Sequence, residues 1–97
     1  MSHLQTIKHI LQGLKPVLEE KYAVRTIGLF GSIVRDDFSP KKSDIDIIVD
    51  FSKPVGIEFI DLADFLESKI KRKVDLVSRN GIKPSYYQVI ESEILYV

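Results

Sequence analysis

The chain has 97 residues, with 14 Lys plus Arg against 14 Asp plus Glu, so it carries no bulk charge that would draw it to nucleic acid or membrane. Hydrophobic residues make up 44% and charged residues 29%, enough for one modest core, and residues 1–97 are read as a single domain. Cysteine is absent, which excludes disulfides and thiolate metal sites. No secretory leader pattern or membrane-length apolar run appears, so the reading places the chain in the cytoplasm.

The elements follow in chain order. Residues 2–22 predict a helix: Leu4, Ile7, Leu11, Leu14 and Leu18 recur at spacings of three and four, with Ser2 as N-cap. Gly13 and Pro16 predict a kink or a break into two pieces. VRTIGLF (24–30) reads as a strand that stops at Gly31-Ser32, where a short helical turn runs to Arg35. A polar loop (36–43) leads into a second strand, DIDIIVDF (44–51). Residues 57–70 give a helix whose apolar face is assigned to Ile57, Phe59, Ile60, Leu62, Ala63, Leu66 and Ile70. KVDLVS (73–78) is a third strand, Asn80-Gly81 a turn, and Pro84 opens a last helix. The closing EILYV is a short strand or a docking tail. The strand–helix–strand unit over 44–78 is a crossover of parallel strands. The fold class is α+β: a small mixed sheet with helices packed on one face.

Two aspartates interrupt the second strand. Side chains alternate faces along a strand, so Asp44 and Asp46 point the same way, about 7 Å apart, while Ile45, Ile47 and Val49 point into the helix layer. Asp50 shares the carboxylate side but lies about 13 Å further along. If residues 73–78 pair beside this strand, Asp75 reaches the same place. Carboxylates gathered this way repel one another, and a divalent cation relieves the repulsion. An all-oxygen donor set favours Mg²⁺ or Mn²⁺, and Mg²⁺ completes its shell with water and substrate phosphate. Two such ions clamp the attacking and leaving oxygens of a phosphoryl displacement. Gly31 and Ser32 at a strand-to-helix turn suit a phosphate, Arg35 follows about one turn later, and Ser43, just before Asp44, joins the nucleotide-binding candidates. Singly each feature has a bland explanation. Together they point to one site.

These residues resemble the minimal nucleotidyltransferase domain family of the DNA polymerase beta superfamily. The likeness runs from RTIGLFGS through SDIDIIVDF and KVDLVS to the end of the chain. The family pattern of Gly-Ser, Asp-x-Asp and a later Asp falls on Gly31, Ser32, Asp44, Asp46 and Asp75. Asp36 stands where relatives often carry glycine. The resemblance implies transfer of a nucleotidyl group from ATP with Mg²⁺, two ions being expected. Asp44, Asp46 and Asp75 would hold metal and carry catalysis, and Ser32 with the Gly31 backbone would hold the β- and γ-phosphates.

Family members that modify small molecules usually carry a second domain for the acceptor, and 97 residues leave no room for one. Small stand-alone members resemble antitoxins that adenylylate a tyrosine of a partner HEPN-domain ribonuclease toxin. Two alternatives stand beside that reading: a module that neutralises its partner by contact alone, and a subunit of a small-molecule nucleotidyltransferase. The basic run Lys69, Lys71, Arg72 and Lys73 reads as a solvated helix end. His3 and His9 read as surface residues, and of Tyr86 and Tyr87 one is expected to pack.

Overall fold

The computed structural model describes residues 2–35 and 37–97; Asp36 and what was expected of it lie outside the described residues. Helix α1 (His3–Tyr22) begins as expected at Ser2, whose hydroxyl accepts from the Gln5 amide at 3.1 Å. It runs unbroken through Pro16 rather than dividing there. Pro16 and Gln12, whose carbonyl loses its partner to the missing proline N–H, are both exposed, so water can serve that carbonyl. The helix ends at Ala23 in the left-handed conformation, its amide donating to the Leu18 carbonyl.

Strand β1 (Val24–Phe30) pairs antiparallel with β2 (Ile45–Phe51). Helix α2 (Glu58–Ile70) crosses over to β3 (Val74–Ser78), which lies parallel to β2. Helix α3 (Pro84–Ile90) and a 3₁₀ turn (Glu91–Glu93) lead to the two-residue strand β4 (Leu95–Tyr96), which closes on the far side of β1. The sheet order is β3-β2-β1-β4, a mixed sheet within an α+β fold.

The core forms because β2 alternates. Ile45, Ile47 and Val49 are wholly buried against Leu11 and Leu18 of α1 and Leu62 and Leu66 of α2. Full burial of each such side chain stabilises by about 1.5–3 kcal/mol. Ile57 and Ile60, assigned above to that face, stand 70% and 61% exposed. Ile57 precedes the helix proper, and Ile60 lies two residues from Leu62, about 200° around the axis and therefore on the solvent side. The short α3 packs on the opposite face of the sheet from α1 and α2. There Ile90 meets Phe30 and Ile48, with Val77, Ile82, Tyr87 and Ile94 around them. Of the tyrosine pair, Tyr87 packs and Tyr86 is exposed, and no described helix is long and apolar enough to cross a membrane.

Candidate active site

The site is assembled where β1 ends and β2 begins. In the antiparallel register Phe30 sits opposite Asp46, so the next residue, Gly31, turns directly beside that aspartate. Gly31 has φ +77°, a conformation that disfavours any side chain. A Cβ there would also overlap the Asp46 carboxylate, whose Cγ stands 3.0 Å from that position. Glycine is therefore required twice over. From Gly31 the chain makes a 3₁₀ turn through Ile33, with the Val34 and Arg35 amides both donating to the Gly31 carbonyl at 3.0 and 3.1 Å.

On the other flank, the parallel register places Asp46 against Asp75. The two share the sheet face opposite the main core, and Asp44 precedes them by one step of the alternation. Burial pushes the Asp46 carboxyl up to about 6, reinforced by the negative charges of Asp75 and Asp44, a hydrogen bond with Asp75 acting the same way and the Arg35 cation opposing them. A cation bound beside these carboxylates would relieve that like-charge repulsion. Among the described residues, no three His, Cys, Asp or Glu side chains form a ready-made metal cage. An open, carboxylate-lined shelf of this kind suits Mg²⁺, which retains water and takes phosphate oxygens, better than an ion needing a full protein shell.

The loop into Asp44 is held in place by its own bonds. The Ser43 hydroxyl accepts from the Ser39 amide at 3.0 Å, and the Ser43 amide returns a bond to the Ser39 carbonyl at 2.8 Å. Arg72, from the basic run after α2, donates to the Pro40 carbonyl at 3.0 Å and lies over the Phe38 ring. At the start of the strand, the Ile45 amide donates to the Lys73 carbonyl at 2.9 Å. Ser43 thus closes the loop, and Arg72 fastens it rather than simply facing water.

Arg35 lies beside the shelf and is shared among acids. Its guanidinium meets Asp37 and Glu93, each at 3.4 Å, and Asp37 first, then Glu93, favour its charged form. Glu93 was not among the residues singled out from the sequence. Its second carboxylate oxygen accepts from the Gly31 amide at 3.1 Å, so that amide, expected to face a phosphate, donates to Glu93 instead. Ser32 is half-buried at the turn. Asp50, as expected, stays apart and pairs with Arg25 at 3.4 Å. A cavity of about 510 Å³ opens at that other end of β2, lined by Asp50, Arg25, Lys53, Phe59 and Arg79 among others, and none of Asp44, Asp46 and Asp75 borders it.

The family model described as the nucleotidyltransferase domain matches residues 11–97. The chain belongs to this family. Among nucleotidyltransferase-domain proteins it is 39% identical to the protein adenylyltransferase MntA of Thermococcus cleftensis, over 100% of this chain and 98% of that one. It is 41% identical, over the whole of both chains, to a Methanocaldococcus jannaschii protein provisionally named protein adenylyltransferase MJ0128. A solved structure described as a minimal nucleotidyltransferase superposes with a TM-score of 0.80 over 98% of this chain and 95% of that one, at 23% identity, which speaks to the fold. The MNT antitoxin solved in complex with a tri-AMPylated Shewanella oneidensis HEPN toxin matches at 25% identity and a TM-score of 0.61, over 97% of this chain and 67% of that one.

Proposed function

We propose that this nucleotidyltransferase-domain chain, acting as one unit over residues 1–97, transfers AMP from ATP to a tyrosine hydroxyl of a partner HEPN ribonuclease toxin and so silences it. The observation that carries the chemistry is the register of Asp46 with Asp75 immediately beside the Gly31–Ser32 turn. The acceptor comes from the relatives: one over the full length is named a protein adenylyltransferase, and a structural neighbour is an antitoxin bound to an AMPylated HEPN toxin.

In this reading Asp44, Asp46 and Asp75 hold Mg²⁺, which when bound neutralises phosphate charge and lowers the barrier to displacement at the α-phosphate. Ser32 and the turn around it bind the triphosphate tail, and Arg35 adds a cation. Ser43 acts on the nucleotide indirectly by fixing the loop that carries Asp44. Asp75 also receives the proton of the acceptor hydroxyl as its oxygen bonds to the α-phosphorus. The bond from that phosphorus to the bridging oxygen breaks, and pyrophosphate leaves. Placement in the cytoplasm accords with an ATP donor and an intracellular partner.

The test is intact mass. The chain is incubated with ATP, Mg²⁺ and a candidate HEPN-domain partner, and both chains are weighed. A gain of one AMP or a small multiple on the partner, absent with Asp44→Ala/Asp46→Ala, is the expected result. An unmodified partner that is nevertheless bound and inhibited would instead establish neutralisation by contact.

A further inference from the structure

Glu93 joins two parts of the molecule that the sequence separates by 62 positions. It stands in the 3₁₀ turn after α3, one residue before β4, which is pinned to β1 by its pairing with Gly28 and Leu29. Just beyond β4 the Val97 amide donates to the Ile27 carbonyl at 2.9 Å, and the Val97 carbonyl accepts from Lys15 at 3.0 Å. The Glu93 carboxylate is therefore delivered from a fixed base. One oxygen takes the Gly31 amide and the other takes Arg35.

These two partners are the start of the Gly-Ser turn and the cation one turn further on. The Gly31 bond is the firmer: part-buried, made by a backbone amide, and charge-assisted. It adds, on the amide side, to the bonds that the Val34 and Arg35 amides make to the carbonyl of this positive-φ residue, and Gly31 in turn abuts Asp46. The Arg35 contact is looser, with the Arg35 side chain 55% exposed, so it can be exchanged for a phosphate oxygen at little cost.

We propose that Glu93 is a positioning residue for nucleotide: it holds the Gly31–Ser32 turn in its binding conformation and keeps Arg35 beside it until the triphosphate arrives. The inference rests on the nucleotide-binding reading above. A carboxylate that merely competed with the triphosphate would have the opposite signature, because its removal would tighten binding.

The test measures binding of AMP-PNP with Mg²⁺ by titration calorimetry in the wild type, Glu93→Ala and Glu93→Gln, with the Gly31 and Ser32 amide resonances followed in parallel. Glu93→Ala is expected to weaken AMP-PNP five- to tenfold and to move both amides. Glu93→Gln keeps an acceptor for Gly31 and loses the charge facing Arg35, so it recovers the amide positions and part of the affinity. In a double-mutant cycle with Arg35→Ala, the losses are less than additive. Equal or tighter binding by folded Glu93→Ala overturns the proposal alone. A role confined to folding lowers the melting temperature without altering Kd, and overturns it as well. Failure of the wild type itself to bind AMP-PNP overturns the nucleotide reading and this one together.

Discussion

Gly31 and Asp46 occupy each other's space: the position a Cβ would take on Gly31 is filled by the Asp46 carboxylate. The strand register that sets Phe30 against Asp46 brings about this contact, so turn and carboxylate shelf are one construction. Gly31→Ala is expected to abolish AMP transfer, with at least a hundredfold loss. A side chain at φ +77° costs about 1–2 kcal/mol, and Asp46 must in addition move aside. Steady-state transfer assays together with a melting curve measure both effects.

The Asp46 carboxyl yields a pH prediction. Its folded value, about 6, lies above its unfolded value near 3.8, so folding favours the protonated form. That contribution is fully present below pH 4 and is lost as pH rises towards 6. Without Mg²⁺, Asp46→Asn is therefore expected to be more stable than the wild type above pH 6 and to converge with it near pH 4. Allowing for solvent screening at a half-buried group, the gain is about 1 kcal/mol, or roughly 4–8 °C in melting temperature. Thermal melts across pH 4–8 in EDTA check it. Adding Mg²⁺ is expected to raise the wild-type curve above pH 6 and to leave the Asn variant unmoved.

Arg72 lies outside the set of carboxylates but anchors the loop that delivers Asp44. Arg72→Ala removes the bond to the Pro40 carbonyl and the cover over Phe38. The expected outcome is a loss of about 1 kcal/mol in stability and faster hydrogen exchange at the Lys42 and Ser43 amides, which this loop protects. Mg²⁺ affinity falls several-fold, while Asp75 on its own strand stays in place. Exchange monitored by mass spectrometry and a Mg²⁺ titration measure the two.

Leu66 is wholly buried between α2 and the sheet. Leu66→Ala is expected to cost about 2–5 kcal/mol through lost burial and the cavity left behind. Folded protein at low temperature should keep its AMP-PNP affinity, since Asp46 and Asp75 lie on the other face of the sheet. Urea melts and calorimetry separate these effects.

The alternation of Asp44, Ile45, Asp46 and Ile47 was legible because a two-residue period assigns faces without any knowledge of the partner strands. The reach of Asp75 followed once parallel pairing was assumed, and the register makes it an immediate neighbour of Asp46. What escaped was long-range or shared. Glu93 meets Gly31 across 62 positions, and an acid in the polar run Glu91-Ser92-Glu93 gives no local hint of an amide awaiting it. Arg72 looked like one more charge in a basic run, because only the tertiary fold brings Pro40 beneath it. The seven residues of α3 are too few for a periodicity that could assign them to the sheet face opposite α1 and α2. Ile57 and Ile60 were given to the core by hydrophobicity alone, whereas the stripe of Leu62, Leu66 and Ile70 is what sets the buried direction of α2.

Strand β2 is bonded on both sides, to β1 and to β3, while β3 and β4 take the edges. Asp46 thus rides on an interior strand of the sheet, the part that frays last. Loosening it requires rupture of two interfaces at once, which is the global transition itself. Heat should therefore extinguish transfer and melt the sheet in a single step, with no temperature window in which a folded but idle enzyme accumulates.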